Sequence, residues 1–136
     1  MNGEDAAHGR VALAVVVDAG RVLLIRRAVA EGALLWALPG GKAEPEETVE
    51  DAAVREAVEE AGVVVEAVRV LGDRLHPDTG RHLVYVVCRL VSGAPEAVSV
   101  REVAEVTWAS RSETRSLVPR GLYGPVQDYL DGALGD

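Results

Sequence analysis

The stretch Gly41–Val63, GKAEPEETVEDAAVREAVEEAGV, decides how this chain folds and what it can do. Pro39-Gly40-Gly41 leads into it as a turn, an acidic loop follows, and an Ala/Val/Glu-rich segment runs to Gly62. Proline disfavours helical backbone at Leu38, and the two glycines permit geometry closed to other residues. Thr48 followed by Asp51 has the form of a reciprocal cap, which predicts a helix from about Val49 to Ala61 ending at Gly62. On that helix Glu56, Glu59 and Glu60 stand at i, i+3 and i+4, within roughly 100° of one face. Like charges so spaced repel by a few tenths of a kcal/mol per pair. The cluster is therefore either a solvated acidic face or a site that expects a cation. Val54, Val58 and Ala61 form one apolar stripe, and Val49, Ala52 and Ala53 lie on the side of the acids. A helix apolar on two sides is expected to pack between layers.

Outward from this helix the chain reads as strands. Val11–Val17 (VALAVVV) is a continuous, β-branched run, as expected of a strand buried on both faces. Asp18-Ala19-Gly20 signals a turn and Arg21–Arg27 the return strand of a hairpin. A loop over Ala28–Leu35 and a short extended piece at Trp36–Leu38 lead to the glycines. Beyond the helix, Val63–Leu75 is strand-like with a break at Gly72, Pro77–Gly80 is a turn, and Arg81–Val91 is the clearest strand. Ser92–Glu96 reads as a loop, and a strand around Val106–Trp108 closes the segment Glu102–Ala109. Ser110–Tyr123 reads as irregular or as one helical turn, and Val126–Leu134 as a final amphipathic helix. The order β-β-β-α-β-β-β-α predicts an α/β (α+β) fold, a mixed β-sheet between helices in an α/β/α sandwich. Residues 1–9 read as a flexible tail and 10–136 as one domain.

Bulk properties exclude several classes. Of 136 residues, 49 % are hydrophobic and 26 % charged, an ordinary globular balance. The formal charge of −8 argues against a nucleic-acid polymer as partner. A small anionic substrate remains open if metal ions mediate the contact. Cys88 is the single cysteine, set in a strand-like run and read as a packed thiol. No run of about 18 apolar residues occurs, so the expectation is a soluble, cytoplasmic protein without a membrane span. His76 and His82 flank a turn and read as surface, and Trp36 and Trp108 as core or rim. Oligomeric state is open, a homodimer being compatible with so small a sheet protein.

Hard cations such as Mg²⁺ and Mn²⁺ take oxygen ligands and share substrate phosphate oxygens. Three carboxylates on one rigid helix, beside a glycine-rich loop with its carbonyls, supply such a face. Arg55 adjoins the cluster, and Lys42 and Arg27 lie on flanking segments, where cations clamp phosphate oxygens and orient carboxylates. The combination points to metal-assisted attack of water on a phosphorus or carbonyl centre, and the nearby Lys and Arg favour phosphorus.

Gly41, Glu47, Arg55-Glu56, Glu59-Glu60 and Gly62-Val63 match the Nudix box: G, five residues, E, seven residues, R-E-U-x-E-E-x-G-U, with U a bulky apolar residue. Seven fixed positions at roughly 6–7 % each match by chance on the order of 10⁻⁸ per register. The chain resembles the Nudix hydrolases over nearly its whole length, including Trp-x-Leu-Pro-Gly-Gly-Lys before the box. It departs at Ala57, where a bulky residue is usual, and at Glu46, where many members have Gly. The resemblance implies a hydrolase of phosphoric anhydride bonds in which Glu56, Glu59, Glu60 and the Gly40 carbonyl bind Mg²⁺ or Mn²⁺. It implies that Arg55 holds the glutamates and Glu47 supports loop and helix. In small members similar to the mutator-type triphosphatases, the position of Arg27 lies near the phosphates. The general base varies in the family. Glu56 and Glu59 are candidates inside the box; Glu96, Glu102 and Glu105 are candidates beyond it. The implied substrate is a small nucleotide, first a (d)NTP. ADP-ribose or a nucleotide sugar is the alternative, hinted at by Pro77 about fifteen residues past the box. A non-catalytic nucleotide sensor is the reading from another class.

Overall fold

The computed structural model describes residues 9–28, 34–77, 79–94 and 103–136. The expected loop over 29–33 and the distal candidates Glu96 and Glu102 lie outside the described residues, as do residues 1–8 of the tail. The elements in order are β1 (Arg10–Asp18), β2 (Arg21–Ala28), β3 (Leu34–Ala37), β4 (Gly40–Lys42), α1 (Val49–Ala61), β5 (Val64–Leu75), β6 (His82–Ser92), β7 (Val103–Ala109), α2 (Arg111–Leu117) and α3 (Gly124–Ala133).

β1 is the axis of the mixed sheet. It runs parallel to β6, from Arg10↔His82 to Val16↔Cys88, and antiparallel to β4 and, at its end, to β2. The strand order is β3-β2-β1-β6-β5, with β4 also on β1 and β7 on β2. The hairpin between β1 and β2 turns on Ala19 (φ 51°) and Gly20 (φ 75°), two left-handed residues in succession, whose twist matches the flanking strands. Alternation along β1 sends Ala12, Ala14 and Val16 to one core, beneath α1, and Val15 to the other, beneath α3. The double burial expected of VALAVVV is thus realised, and the α/β/α layering with it.

α1 has the predicted bounds. The Thr48 hydroxyl oxygen accepts from the Asp51 N–H at 3.0 Å, and Gly62 (φ 70°) closes the helix by donating to the carbonyls of Ala57 and Val58. Its buried face differs from the expected stripe: Val49, Ala52, Ala53, Ala57, Glu60 and Ala61 go in, whereas Val58 is 44 % exposed. Alanines let the helix settle close on the sheet, so the small residues dominate the inner face and Val54 and Val58 are left at the flank. Ala57, the departure from the usual bulky residue, is fully buried there.

Two elements were not expected in that form. β4 is a three-residue strand made of Gly40, Gly41 and Lys42, and α2 is a seven-residue helix, longer than the single turn read as one alternative for Ser110–Tyr123. α2 carries a complete capping box. The Ser110 hydroxyl accepts from the Glu113 N–H, and the Glu113 carboxylate accepts from the Ser110 N–H at 2.9 Å. Cys88 is buried as read, its thiol pushed up to about 11 by desolvation. Among the described residues no helix is long and apolar enough to cross a membrane.

Because the helix sits on the sheet through alanines, enlarging the central one should overpack the core. Ala57→Leu should lose about 1–3 kcal/mol of unfolding free energy by urea titration. An unchanged midpoint would show that the layer has slack.

Candidate active site

The site is built where β4 passes the glutamate flank of α1. Gly40 and Gly41 make that approach possible. A Cβ on Gly40 would stand 2.3 Å from the Ala12 carbonyl oxygen, and one on Gly41 2.7 Å from Glu56 Oε1. Backbone bars a side chain at Gly40, and a side chain at Gly41 would displace the Glu56 carboxylate.

Glu60 is the innermost carboxylate, 1 % exposed. The Gly40 N–H donates to its Oε1 at 2.7 Å, and Arg27 Nη2 forms an ion pair with its Oε2. The same Arg27 nitrogen donates to the Gly40 carbonyl at 3.3 Å. Strand β2, strand β4 and helix α1 are therefore tied at one point.

Arg55 organises the outer half. Its Nε and Nη2 donate in a fork to Glu47 Oε2 and Oε1 at 2.8 and 2.9 Å. Its Nη1 reaches Glu56 Oε1 at 2.9 Å and Glu59 Oε2 at 3.1 Å, and Nη2 also donates to the Lys42 carbonyl at 3.0 Å. Glu47 further accepts from the Glu44 N–H at 3.0 Å, and Arg10 donates to the Glu47 carbonyl at 2.9 Å. The guanidinium of Arg55 and the Glu44 N–H lower the Glu47 carboxyl to about 2, and Glu47 in turn raises the Arg55 guanidinium. The Glu56 carboxyl moves the other way. Burial raises it, more than Arg55 offsets.

All the predicted site residues on these elements converge except for the side chain of Lys42, which is exposed at the rim. Arg27 is turned inward onto Glu60 and Gly40. Glu59 is the open member, with 55 % of its side chain exposed. Sequence reasoning missed Arg10 and the steric role of Gly41; the adjacent glycines were the one available signal for the latter. Glu105 is elsewhere. It pairs across β2 with Arg26, and Arg26 Nη1 holds it at 2.7 Å. Neighbours along a strand face opposite ways, so Arg27 points to α1 and Arg26 to the far side of the sheet. There Trp36, Glu105, Thr107, Ser116 and Leu117 line a separate cavity of about 350 Å³.

The donor set fits a hard divalent cation. Four carboxylates (Glu47, Glu56, Glu59, Glu60) are ion-paired with two guanidiniums (Arg27, Arg55), with Arg10 beside them on the Glu47 carbonyl, so carboxylates stay in excess at −4 + 3 = −1. Partly buried excess negative charge suits a divalent ion, and every candidate ligand is an oxygen. Among the described residues no three carboxylate, imidazole or thiol groups stand together as a ready metal site, so a cation here would take part of its shell from the Gly40 carbonyl, water or substrate.

Comparison with known proteins agrees with this geometry. The family model of the NUDIX domain matches residues 7–126. A "MutT-like protein" of Streptomyces ambofaciens is 38 % identical over 124 residues, covering 90 % of this chain and 77 % of that protein. The crystal structure of a MutT NUDIX hydrolase from Burkholderia pseudomallei superposes with a TM-score of 0.66 at 31 % identity, covering 90 % of this chain and 95 % of that one. A NUDIX hydrolase from Nitrosomonas europaea gives a TM-score of 0.77 at 24 % identity over 90 % of this chain and 69 % of that one, a likeness of fold. With the box in register, its glutamates gathered at one site and the fold shared, this chain belongs to the Nudix hydrolases, enzymes that cleave pyrophosphate bonds.

Proposed function

We propose that the protein is a Mg²⁺-dependent pyrophosphohydrolase whose substrate is a (d)NTP, split to the monophosphate and pyrophosphate, as one catalytic unit spanning residues 10–136. The make-up of the cluster carries this reading: carboxylates in excess of guanidiniums in a partly desolvated, all-oxygen site are the complement of a hard divalent cation. Glu56, Glu59, Glu60 and the Gly40 carbonyl would hold Mg²⁺, with Mn²⁺ as its substitute. Once bound, the cation neutralises phosphate oxygens and favours attack by water.

The chain's own residues do the rest. Arg55 and Glu47 position the outer glutamates, and Arg27 fixes Glu60 and Gly40 from behind. Lys42, exposed at the rim, is placed to meet a phosphate. Glu56 is the better base of the two in the box, because burial raises its carboxyl toward a proton-accepting range while Glu59 is open to solvent. Glu105, engaged with Arg26 on the far side, is not used. In the step itself, water oxygen bonds to a phosphorus of the anhydride and the bridging P–O bond breaks. The proton passes to the carboxylate, and the electron pair leaves on the departing phosphate.

The triphosphate is favoured over ADP-ribose or a nucleotide sugar for two reasons. Two relatives, at 38 % and 31 % identity and each covering 90 % of this chain, carry MutT in their names, against one solved structure of an ADP-ribose pyrophosphatase at 30 % identity over 76 % of it. Pro77, the hint toward ADP-ribose, is accounted for by a turn that closes on itself, with His76 N–H donating to the Arg81 carbonyl at 2.8 Å and Gly80 N–H to the His76 carbonyl at 2.9 Å. Such an enzyme would work in the cytoplasm, where its nucleotides are and where Cys88 stays reduced.

Product release should be measured across (d)NTPs, ADP-ribose and nucleotide sugars, with Mg²⁺ and with EDTA. Turnover should be greatest on a triphosphate and vanish on chelation; binding without product at any metal concentration would establish a sensor instead. On the same substrate Glu56→Gln should slow turnover by about 10²–10⁴-fold at unchanged melting temperature. Wild-type rates in that variant would remove Glu56 from the chemistry.

Glu47 gives a check on positioning that needs no substrate. Its carboxyl ordinarily titrates near 4.5 and is lowered to about 2 in the folded protein. The stability this supplies is complete above 4.5 and is lost as pH falls toward 2. In metal-free urea titrations the gap between wild type and Glu47→Gln should be widest at neutral pH and shrink through that window. A gap that does not change with pH would mean that the Arg55 fork adds nothing to folding.

A further inference from the structure

We propose that Arg10 is a positioning residue of the active site. From the start of β1 it holds the loop between β4 and α1 where Glu47 can receive Arg55, and through that pair it sets Glu56 and Glu59. This role rests on the proposed Mg²⁺-dependent activity, and Arg10 serves it through the main chain of Glu47.

Arg10 grips the loop at both ends. At its start the Ala43 N–H donates to the Arg10 carbonyl at 2.9 Å, next to the pairing of Val11 with Lys42 where β4 ends. Near its end Arg10 Nη2 donates to the Glu47 carbonyl at 2.9 Å from a partly buried position. Residues 43–48 are thus tied at two points to β1, the axis of the sheet.

The composition of the segment calls for such a hold. Glu44, Glu46, Glu47, Glu50 and Asp51 place five carboxylates within eight residues, and like charges so close push the chain outward. A guanidinium on the Glu47 carbonyl counters this with a charge-assisted bond. It leaves the Glu47 carboxylate oxygens to Arg55.

Arg55 carries the effect onward. Its guanidinium is a rigid plane, so the fork to Glu47 and the bonds to Glu56 at 2.9 Å and Glu59 at 3.1 Å share one orientation. A displaced Glu47 would turn that plane and loosen both outer glutamates together. Glu60 is attached separately, through Arg27 and Gly40, so the hold does not extend to it. Loss of Arg10 should therefore misplace the outer ligands while the inner carboxylate stays docked.

Two substitutions in two backgrounds test this. Arg10→Met keeps an unbranched apolar stem and removes donor and charge; Arg10→Lys keeps both. Each is made in the wild type and in Glu47→Gln. The readings are kcat and KM on the triphosphate, and calorimetric titration of the substrate-free protein with Mn²⁺. Arg10→Met should lower kcat and weaken Mn²⁺ binding by about 10-fold each, with KM within about twofold, and Arg10→Lys should recover most of both. In the Glu47→Gln background the Arg10→Met losses should fall to about twofold or less, because the residue through which Arg10 acts is already uncoupled. Wild-type kcat and Mn²⁺ affinity in Arg10→Met would overturn the proposal. So would equal losses in both backgrounds, the mark of a merely structural role, or a lysine variant no better than methionine. Should Arg10→Met not fold, Arg10→Gln takes its place with the same readings. A wild type that binds Mn²⁺ without splitting a triphosphate refutes the substrate reading alone, and the Mn²⁺ series then decides the role of Arg10.

Discussion

A carboxylate with 1 % exposure cannot stand inside a protein alone, and the position of Glu60 dictates what surrounds it. It takes a guanidinium from β2 and a backbone N–H from β4. Removing one partner of such a buried pair costs about 3–5 kcal/mol, more than most single core contacts. α1 is thus docked twice, through its alanines against the sheet and through Glu60 against Arg27 and Gly40. The second attachment fixes the rotation of the helix about its axis, which the small, similar alanines would specify weakly. With Glu60 turned inward, Glu56 comes beside Gly41 and Glu59 is left at the opening, and the fork from Arg55 to Glu47 fixes these two from outside.

The strand period gives two adjacent arginines opposite duties. Arg27 belongs to the α1 face and Arg26 to the far face, where it holds Glu105. A shift of β2 by one residue would exchange them and leave Glu60 buried without a cation. Antiparallel pairing to both β3 and β7, with a register shift against β7 between those very residues, holds the strand in place. The geometry accordingly separates the candidate bases that sequence alone left together. Glu56 and Glu59 share a site with Arg55, while Glu105 lies across the sheet.

Much of this was legible in the sequence, where local chemistry and tertiary structure agree. α1 begins at the residue after Thr48 and ends at the residue before Gly62 because both caps are local, and the run VALAVVV has no polar residue to place outside. β4 was not legible. Gly-Gly-Lys has no strand propensity, and its pairing with β1 follows from the close approach that only glycine allows. α2 was legible in principle, since Ser110-x-x-Glu113 is a capping signature, but a seven-residue helix offers little periodicity. The inner face of α1 was misjudged because apolar size suggested Val54 and Val58, and what decides burial there is how closely the helix can approach. Nor could the charge pattern distinguish Glu60 from Glu59: adjacent glutamates look alike until Arg27 is placed.

The same balance of charge links folding to function. Four carboxylates outnumber the two guanidiniums paired with them, and burial raises the carboxyl of Glu56 by more than Arg55 lowers it. A cation that binds the folded cluster and not the unfolded chain stabilises the fold in proportion to RT ln(1 + [L]/Kd). The arginines alone could have been matched by two carboxylates, which would have made a more stable and inert ion-pair network. Keeping carboxylates in excess of arginines costs stability in the folded chain, a cost that the proposed divalent ion would offset on binding. Lysine or arginine added to complete the pairing would strengthen the fold and remove the excess negative charge that the proposed cation would meet.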